Sequence, residues 1–120
     1  MTVTGSEVWA VLLVALGGAV GALVRHVVVQ PPLGAVRGVL LANVVGCAGL
    51  GALVALADRW PPALVLLLGT GLSAALTTWS TLAVLTWQLG REDLPRAAVY
   101  LGLTLALGLG AATLVWSLLS

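Results

Sequence analysis

Four long apolar stretches restrict this chain to folds that cross a lipid bilayer. They cover residues 8–29, 34–57, 62–89 and 95–119. Each supplies the ~20 residues that an α-helix needs to cross a ~30 Å hydrocarbon core. Hydrophobic residues make up 61% of the chain and charged residues only 8%. The sequence therefore predicts an all-α integral membrane protein, in which residues 1–120 form a single membrane domain of four transmembrane helices.

The polar connections between these spans are short. They cover residues 30–32, 58–61 and 90–94, which leaves no room for an extramembrane domain that binds a soluble substrate. The net charge is +1 and the chain has no lysine, so no basic surface is available for nucleic acid. The first span lacks the preceding basic residues of a signal peptide, and we interpret it as retained. We therefore expect the function to lie inside the membrane, in contact with lipid.

A cluster of hydroxyl groups interrupts the third span. Thr77, Thr78, Ser80 and Thr81 surround Trp79. An unpaired hydroxyl in hydrocarbon is costly, so the cluster must face protein, water or an ion. The span is also longer than a straight crossing requires, which suits a broken helix whose irregular backbone is buried or lines a cavity. The alternative is a tilted, continuous helix whose hydroxyls bond the carbonyls four residues earlier.

Polar side chains also lie within the other spans. Asn43 is near the middle of the second span, where its amide must be paired, either along an ion pathway or in a bond between helices. Arg25 is near the end of the first span, where it has either a structural role or a side chain that extends to the membrane surface. Tyr100 and Thr104 are one turn apart in the fourth span.

Small and aromatic residues indicate how the helices pack. Gly17 and Gly21 form a GxxxG pattern in the first span, which allows two helix backbones to approach closely. Four tryptophans lie near span ends, where the indole ring suits the headgroup region. Trp79 instead lies in the middle of the third span, so its N–H needs a polar partner or a polar cavity. Because four helices enclose little volume, a pathway for a solute is expected to require a dimer.

The titratable residues form no catalytic or metal-binding pattern. His26 is the only histidine, and Cys47 has no second cysteine to pair with. The four acids lie at span ends or in connections: Glu7, Asp58, Glu92 and Asp93. Proton-coupled transport usually needs an ionisable group inside the membrane. We therefore predict that the chain is not an enzyme, and that its neutral hydrogen-bond donors suit a small anion better than a cation.

Three motifs occur in order along the chain. Residues 17–25 read GGAVGALVR, residues 41–46 read LANVVG, and Gly69-Thr70-Gly71 leads into TTWST at 77–81. They resemble, respectively, the first-helix signature, the asparagine-containing second helix and the third-helix Thr-Thr-Phe-Ser-Thr motif of the Fluc (CrcB) fluoride channels. The resemblance extends along nearly the whole chain, and the order and spacing of the motifs make it specific.

The resemblance implies a fold, an activity and a location. Its fold is an antiparallel, dual-topology homodimer of four-helix subunits with a broken third helix and two narrow pores. Its activity is passive and selective export of fluoride, which lowers fluoride in the cytoplasm. A multi-pass protein of the cell (plasma) membrane is therefore expected, with fluoride and a second subunit as its partners.

The resemblance also assigns roles to residues of this chain. Asn43 would line the pore as a donor, and Trp79 and Leu82 would occupy the positions of two phenylalanines whose ring edges face the anion. The other residues expected along the ion pathway are Ser80 and Thr81 of the motif and Tyr100 and Thr104 of the fourth helix. A structural sodium ion at the dimer interface would be held by the main-chain carbonyls of Ala74 and Thr77. Gly108 stands where a further hydroxyl is expected.

Two other functions remain open from the sequence. The first is a subunit that pairs with a paralogue in a heteromeric channel, since Leu82 has no ring edge. Arginines on the two sides of the membrane are also unequal, with Arg37, Arg91 and Arg96 on one side and Arg59 on the other, which favours one orientation. The second is a small multidrug exporter, which needs a carboxylate well inside the first span, whereas Glu7 is at its start.

Overall fold

The computed structural model describes residues 2–120, and this part of the chain is helical without any strand. The helices are α1 (Gly5–Val28), α2 (Gly34–Leu56), α3 (Pro62–Leu64), a π-helix (Val65–Ser73), α4 (Ala74–Leu76), α5 (Trp79–Glu92) and α6 (Leu94–Leu119). Pro62–Glu92 forms one of four helical segments that are long and apolar enough to cross a membrane. The four predicted spans are confirmed.

Short polar side chains fix where the first and last helices begin. Thr4 caps α1: its backbone N–H donates to the Glu7 carboxylate at 2.8 Å, and its hydroxyl accepts from the Glu7 N–H at 3.4 Å. This reciprocal pair satisfies two donors that a helix start leaves free. Asp93 caps α6 by accepting from the backbone N–H of Arg96 at 3.1 Å. Glu7 therefore helps to cap the N-terminal end of α1.

The predicted connection at 90–94 was wrong in extent. Helix α5 continues to Glu92, and Asp93 is the only residue between α5 and α6. Asp93 ends one helix and begins the next, because its N–H donates to the Leu89 carbonyl at 2.7 Å while its carboxylate caps α6. Residues 90–92, which look polar enough for a loop, are thus helical, and only Asp93 is extended.

The third span is broken, as predicted. Its first half, residues 62–76, consists of α3, the π-helix and α4, and its second half is α5. Thr77 and Thr78 lie between them with extended backbones, at φ −81°, ψ 143° and φ −148°, ψ 121°. The hydroxyl of Thr78 caps α5 by accepting from the Thr81 N–H at 3.3 Å. The chain thus restarts a helix two residues after the first half ends.

Close glycine contacts bring the helices together. Helix α2 packs along α6, and α1 packs along the π-helix of the third span. A Cβ on Gly21 would lie 2.6 Å from the Leu72 carbonyl oxygen, and a Cβ on Gly51 would overlap the Ala112 carbonyl oxygen. Residues at these positions must therefore be very small. The predicted Gly17 and Gly21 pair lies in one such contact, within the chain.

A small buried cluster joins α2, α5 and α6. It contains Val39, Leu82 and Tyr100, which are 1%, 3% and 6% exposed. Most other large apolar side chains are exposed, as expected of helices whose outer faces meet lipid. The cluster lies beside the break in the third span, and it holds α5 against the other two helices.

Candidate functional site

The side chain of Asn43 lies against the break in the third span. Its Oδ1 accepts from the backbone N–H of Thr78 at 2.7 Å, and its Nδ2 donates to the carbonyl of the same residue at 3.3 Å. Asn43 is only 7% exposed. An amide at this depth needs partners, and the exposed peptide groups of the break supply them. The structure thus brings two predicted features together, the midspan amide and the hydroxyl cluster.

At the break, two carbonyl groups lose the N–H donors that they would have in a continuous helix. In a continuous helix the Thr78 N–H would donate to Ala74, but here it donates to Asn43. The Ala74 carbonyl accepts instead from the Thr77 hydroxyl at 3.0 Å. The Thr81 N–H, which would donate to the Thr77 carbonyl, donates to the Thr78 hydroxyl. The carbonyl oxygens of Ala74 and Thr77 therefore lack the N–H donors that they would have within a continuous helix.

The hydroxyls of the motif form a local network at the start of α5. The Thr78 hydroxyl lies 3.2 Å from that of Thr81 and 3.4 Å from that of Ser80. Both Ser80 and Thr81 are exposed on the surface of the single chain. An exposed serine in the membrane interior is unfavourable against lipid, so this face needs a polar partner.

A cavity of about 260 Å³ opens beside Asn43 and the break. Four of the residues predicted for the ion pathway reach it, from α2, α5 and α6. The lining residues are Asn43, Cys47, Thr77, Thr78, Trp79, Leu82, Thr104, Leu105, Gly108 and Leu109. Its walls are mostly apolar, with the Asn43 amide and three threonines as polar groups. This arrangement places a few polar groups in an otherwise apolar cavity.

Trp79 and Leu82 take different positions at this cavity. Trp79 is 66% exposed and lies on the outer surface of the chain, whereas Leu82 is 3% exposed and belongs to the buried cluster. They are three residues apart on α5, so they lie nearly on one face. The indole of Trp79 has no hydrogen-bond partner in the described part of the chain.

Tyr100 and Thr104 are buried on α6 with their hydroxyl protons in use. The Tyr100 hydroxyl donates to the Val36 carbonyl of α2 at 3.0 Å, and the Thr104 hydroxyl donates to the Tyr100 carbonyl at 2.7 Å. Thr104 reaches the cavity but Tyr100 does not. In this conformation, therefore, the oxygen of Thr104 faces the cavity as an acceptor, and its proton must turn from the helix to meet an anion.

Arg25 and Thr81 line a second cavity, of about 330 Å³, between α1, α2 and α5. His26 and Val39 also contribute to its walls. Arg25 is half-buried in the last turn of α1, where a cation is favoured by the helix dipole. Arg25 and Thr81 thus lie at a different cavity from the one that contains Asn43, and Ser80 lines neither of the two.

The sequence alone did not place Cys47, Leu105 or Leu109 at the cavity. They lie there because α2 and α6 pack along each other, with Gly108 opposite Cys47; a Cβ on Gly108 would lie 3.3 Å from the Cys47 sulfur. The spacing between Asn43 and Cys47, and between Thr104 and Gly108, is one helical turn in each case. That periodicity was the available indication in the sequence.

Four apolar helices, a break in the third and polar groups that converge on it define a small multi-pass membrane protein of the channel and transporter class. The family model described as CrcB-like protein, Camphor Resistance (CrcB), matches residues 12–116. The chain belongs to this family, which confirms the resemblance seen in the sequence.

Curated relatives cover most of the chain. A protein of Deinococcus radiodurans named fluoride-specific ion channel FluC is 44% identical over 110 residues, covering 84% of this chain and 87% of the relative. Fluoride-specific ion channel FluC 2 of Rhodococcus jostii is 41% identical over 117 residues, covering 92% of this chain and 98% of the relative. A FluC 2 of Parasynechococcus marenigrum is 41% identical over 114 residues, covering 94% and 83%.

Proposed function

We propose that this chain is a fluoride-specific ion channel that lowers cytoplasmic fluoride by passive export. The observation that carries the proposal is the position of Asn43 at the break of the third span, beside a cavity that also receives Trp79 and Thr104. Relatives at 41–44% identity are named as fluoride-specific channels. No carboxylate lies near this site in the described chain, so no side chain there would exchange a proton or attract a cation.

Neutral donors provide what a fluoride site requires. Fluoride is small and strongly hydrated, so a selective site must replace its water with converging donors. Only one of the two Nδ2 protons of Asn43 is needed for its bond to Thr78. The second proton and the positive ring edge of Trp79 can both face an anion in the cavity. The Ser80 and Thr81 hydroxyls supply further donors outside it.

A second subunit completes the proposed channel. Trp79 is 66% exposed and Ser80 lies beside it on the surface. An exposed serine hydroxyl is unfavourable against lipid in the membrane interior. A copy inserted in the opposite orientation would cover this face and enclose a pore on each side of the shared surface. The proposed assembly is therefore an antiparallel, dual-topology dimer.

The carbonyl groups at the break suit a structural sodium ion. The N–H groups that would bond the Ala74 and Thr77 carbonyls in a continuous helix donate to other acceptors. Ala74 is also exposed. A hard cation requires oxygen ligands rather than particular side chains. In the proposed dimer these two carbonyls from each subunit would hold the ion, which would stabilise the assembly by balancing the partial negative charge of the half-helix ends.

Anion flux from proteoliposomes tests the channel function. Liposomes loaded with potassium fluoride should release fluoride when valinomycin allows potassium to follow, and liposomes loaded with potassium chloride should retain chloride. Fluoride release should not require an imposed proton gradient. Equal release of chloride, or fluoride movement only along with protons, would contradict the proposal.

A partner subunit in a heteromeric channel is the second candidate function. Two observations favour it: the arginine imbalance, with Arg59 on one side, and the numbering of relatives as FluC 2, which indicates more than one such protein in those organisms. Reporter fusions at both termini test it. Signal from one side only, with flux that appears on co-expression with a paralogue, supports the heteromer; equal signal from both sides supports the homodimer.

A multidrug exporter has less support. Its mechanism needs a carboxylate in the membrane interior, and the carboxylate of Glu7 is committed to the cap of α1 at the helix end. Cationic dye efflux from the same liposomes would be the contrary result.

A further inference from the structure

The contact between Asn43 and Thr78 has the form of a backbone pair. A side-chain amide carries the same donor and acceptor as a peptide group, and Asn43 uses both on one residue, at 2.7 Å and 3.3 Å. Thr78 is extended, at φ −148° and ψ 121°, so both its N–H and its C=O point to the side. Asn43 therefore supplies, from 35 residues away, the acceptor that the Thr78 N–H loses at the break, and it bonds the Thr78 carbonyl as well.

The helix that carries Asn43 is firmly held. One turn later, a Cβ on Gly46 would lie 2.6 Å from the Thr77 side chain and 3.1 Å from the Ser73 carbonyl oxygen. Further along, Gly51 lies directly against the Ala112 backbone of α6. The amide is thus attached to an element that contacts both the first half of the third span and α6, and it can define where Thr78 lies.

The position of Thr78 determines where α5 begins. Thr78 is the cap of α5, its hydroxyl accepts the Thr81 N–H, and Trp79 is the next residue. A displacement of Thr78 therefore moves Trp79 and the two hydroxyl groups that follow it.

We propose that Asn43 is a positioning residue for ion passage: through its paired hydrogen bonds with the Thr78 backbone it fixes the position of Thr78 and sets the geometry of the Trp79 end of α5. The role is separate from direct donation to an anion, because it requires both the oxygen and one proton of the amide. It rests on the proposed channel function only for its effect on flux.

Amide hydrogen exchange in bilayers, measured by solid-state NMR without fluoride, tests the positioning role independently of transport. In Asn43→Ala the Thr78 amide should exchange at least ~10-fold faster than in the wild type, because a buried donor loses its acceptor. In Thr104→Val, which removes a hydroxyl from the same cavity but no bond to the third span, Thr78 exchange should be unchanged. Thr78 exchange in Asn43→Ala within ~2-fold of the wild type would overturn the proposal.

An amide-to-ester replacement tests the same bond with Asn43 intact. Incorporation of the α-hydroxy analogue of threonine at position 78 replaces its backbone N–H by an ester oxygen, which also weakens the Thr77 carbonyl as an acceptor, and fluoride flux should fall at least ~10-fold. The same analogue at Thr113, on α6 away from the break, is the control and should retain flux. Wild-type flux from the position-78 ester would overturn the proposal, even if Asn43→Ala does not fold. Absence of flux from the wild type would instead refute the proposed function and leave the exchange result valid.

Discussion

Gly17 of α1 and Gly71 of the π-helix lie in direct backbone contact. A Cβ on Gly71 would lie 2.9 Å from the Gly17 Cα and 2.8 Å from the Val14 carbonyl oxygen. A Cβ on Gly17 would in turn overlap the Leu67 carbonyl oxygen. The first half of the third span is thus held to α1 by backbone packing, which explains the use of glycine on both sides.

Substitution of Gly17 should destabilise the protein because neither backbone can move away easily. We expect Gly17→Ala to lower the free energy of unfolding by about 1–3 kcal/mol, the usual cost of overpacking. Gly18→Ala is the matched control, since a Cβ there has no atom within 4 Å, and it should be neutral or slightly stabilising. Unfolding of both variants in mixed micelles measures the difference. Equal stabilities would show that this contact is not tight.

The ring of Trp79 should be required for flux, although its size should not. We expect Trp79→Phe to retain fluoride flux, because phenylalanine also presents a positive ring edge. Trp79→Ala should reduce flux at least ~10-fold, since no ring edge remains. Trp87→Ala is the control: Trp87 is similarly exposed, at 62%, but it packs with Arg91 near the end of α5. Normal flux in Trp79→Ala would remove this side chain from the pathway.

The Tyr100 hydroxyl should contribute to the packing of α6 on α2. Tyr100→Phe removes its bond to the Val36 carbonyl, which keeps only its helical partner within α2, at a cost of about 1 kcal/mol. Thr113→Val removes a hydroxyl that bonds only within its own helix and should cost less. Unfolding in mixed micelles compares the two. A neutral Tyr100→Phe variant would indicate that water or another donor satisfies Val36.

A hydroxyl at position 108 should fit and increase flux. A Cβ on Gly108 would lie 3.3 Å from the Cys47 sulfur and 3.9 Å from its Cβ, so serine needs only a small adjustment of a flexible side chain. Gly108→Ser adds a donor one turn beyond Thr104, and we expect flux to rise about twofold or more. Gly110→Ser, whose Cβ faces open space, should leave flux unchanged. A loss of flux in Gly108→Ser would show that the cavity must stay apolar there.

Length, hydropathy and the hydroxyl cluster predicted the four spans and the broken third helix correctly. These features follow from the requirement that every polar group in a bilayer be satisfied, which leaves few alternatives. The site of the break could also be predicted, because Thr77 and Thr78 belong to the cluster. The length of the connection between the third and fourth spans could not be predicted, because a single capping residue, Asp93, can separate two helices.

Other features of the site depend on rotation and contact between helices, which one sequence does not determine. The partner of Asn43 is a backbone group, so no side-chain pattern indicates it. The π-helix at Val65–Ser73 has no compositional signature, although the Ser73 hydroxyl supports it by donating to the carbonyl five residues earlier, at 2.8 Å. The roles of Ser80, Thr81, Tyr100 and Thr104 in ion passage remain predictions.

The single residue between α5 and α6 has a mechanical consequence. Asp93 bonds to both helices, so α5 and α6 form one stiff hairpin, which α2 joins by packing along α6. The first half of the third span forms a second block with α1, on which it mainly packs, although it also contacts α2. Within the third span these two blocks are linked covalently only through Thr77 and Thr78. Any rocking of one block against the other must therefore bend the backbone at these two residues.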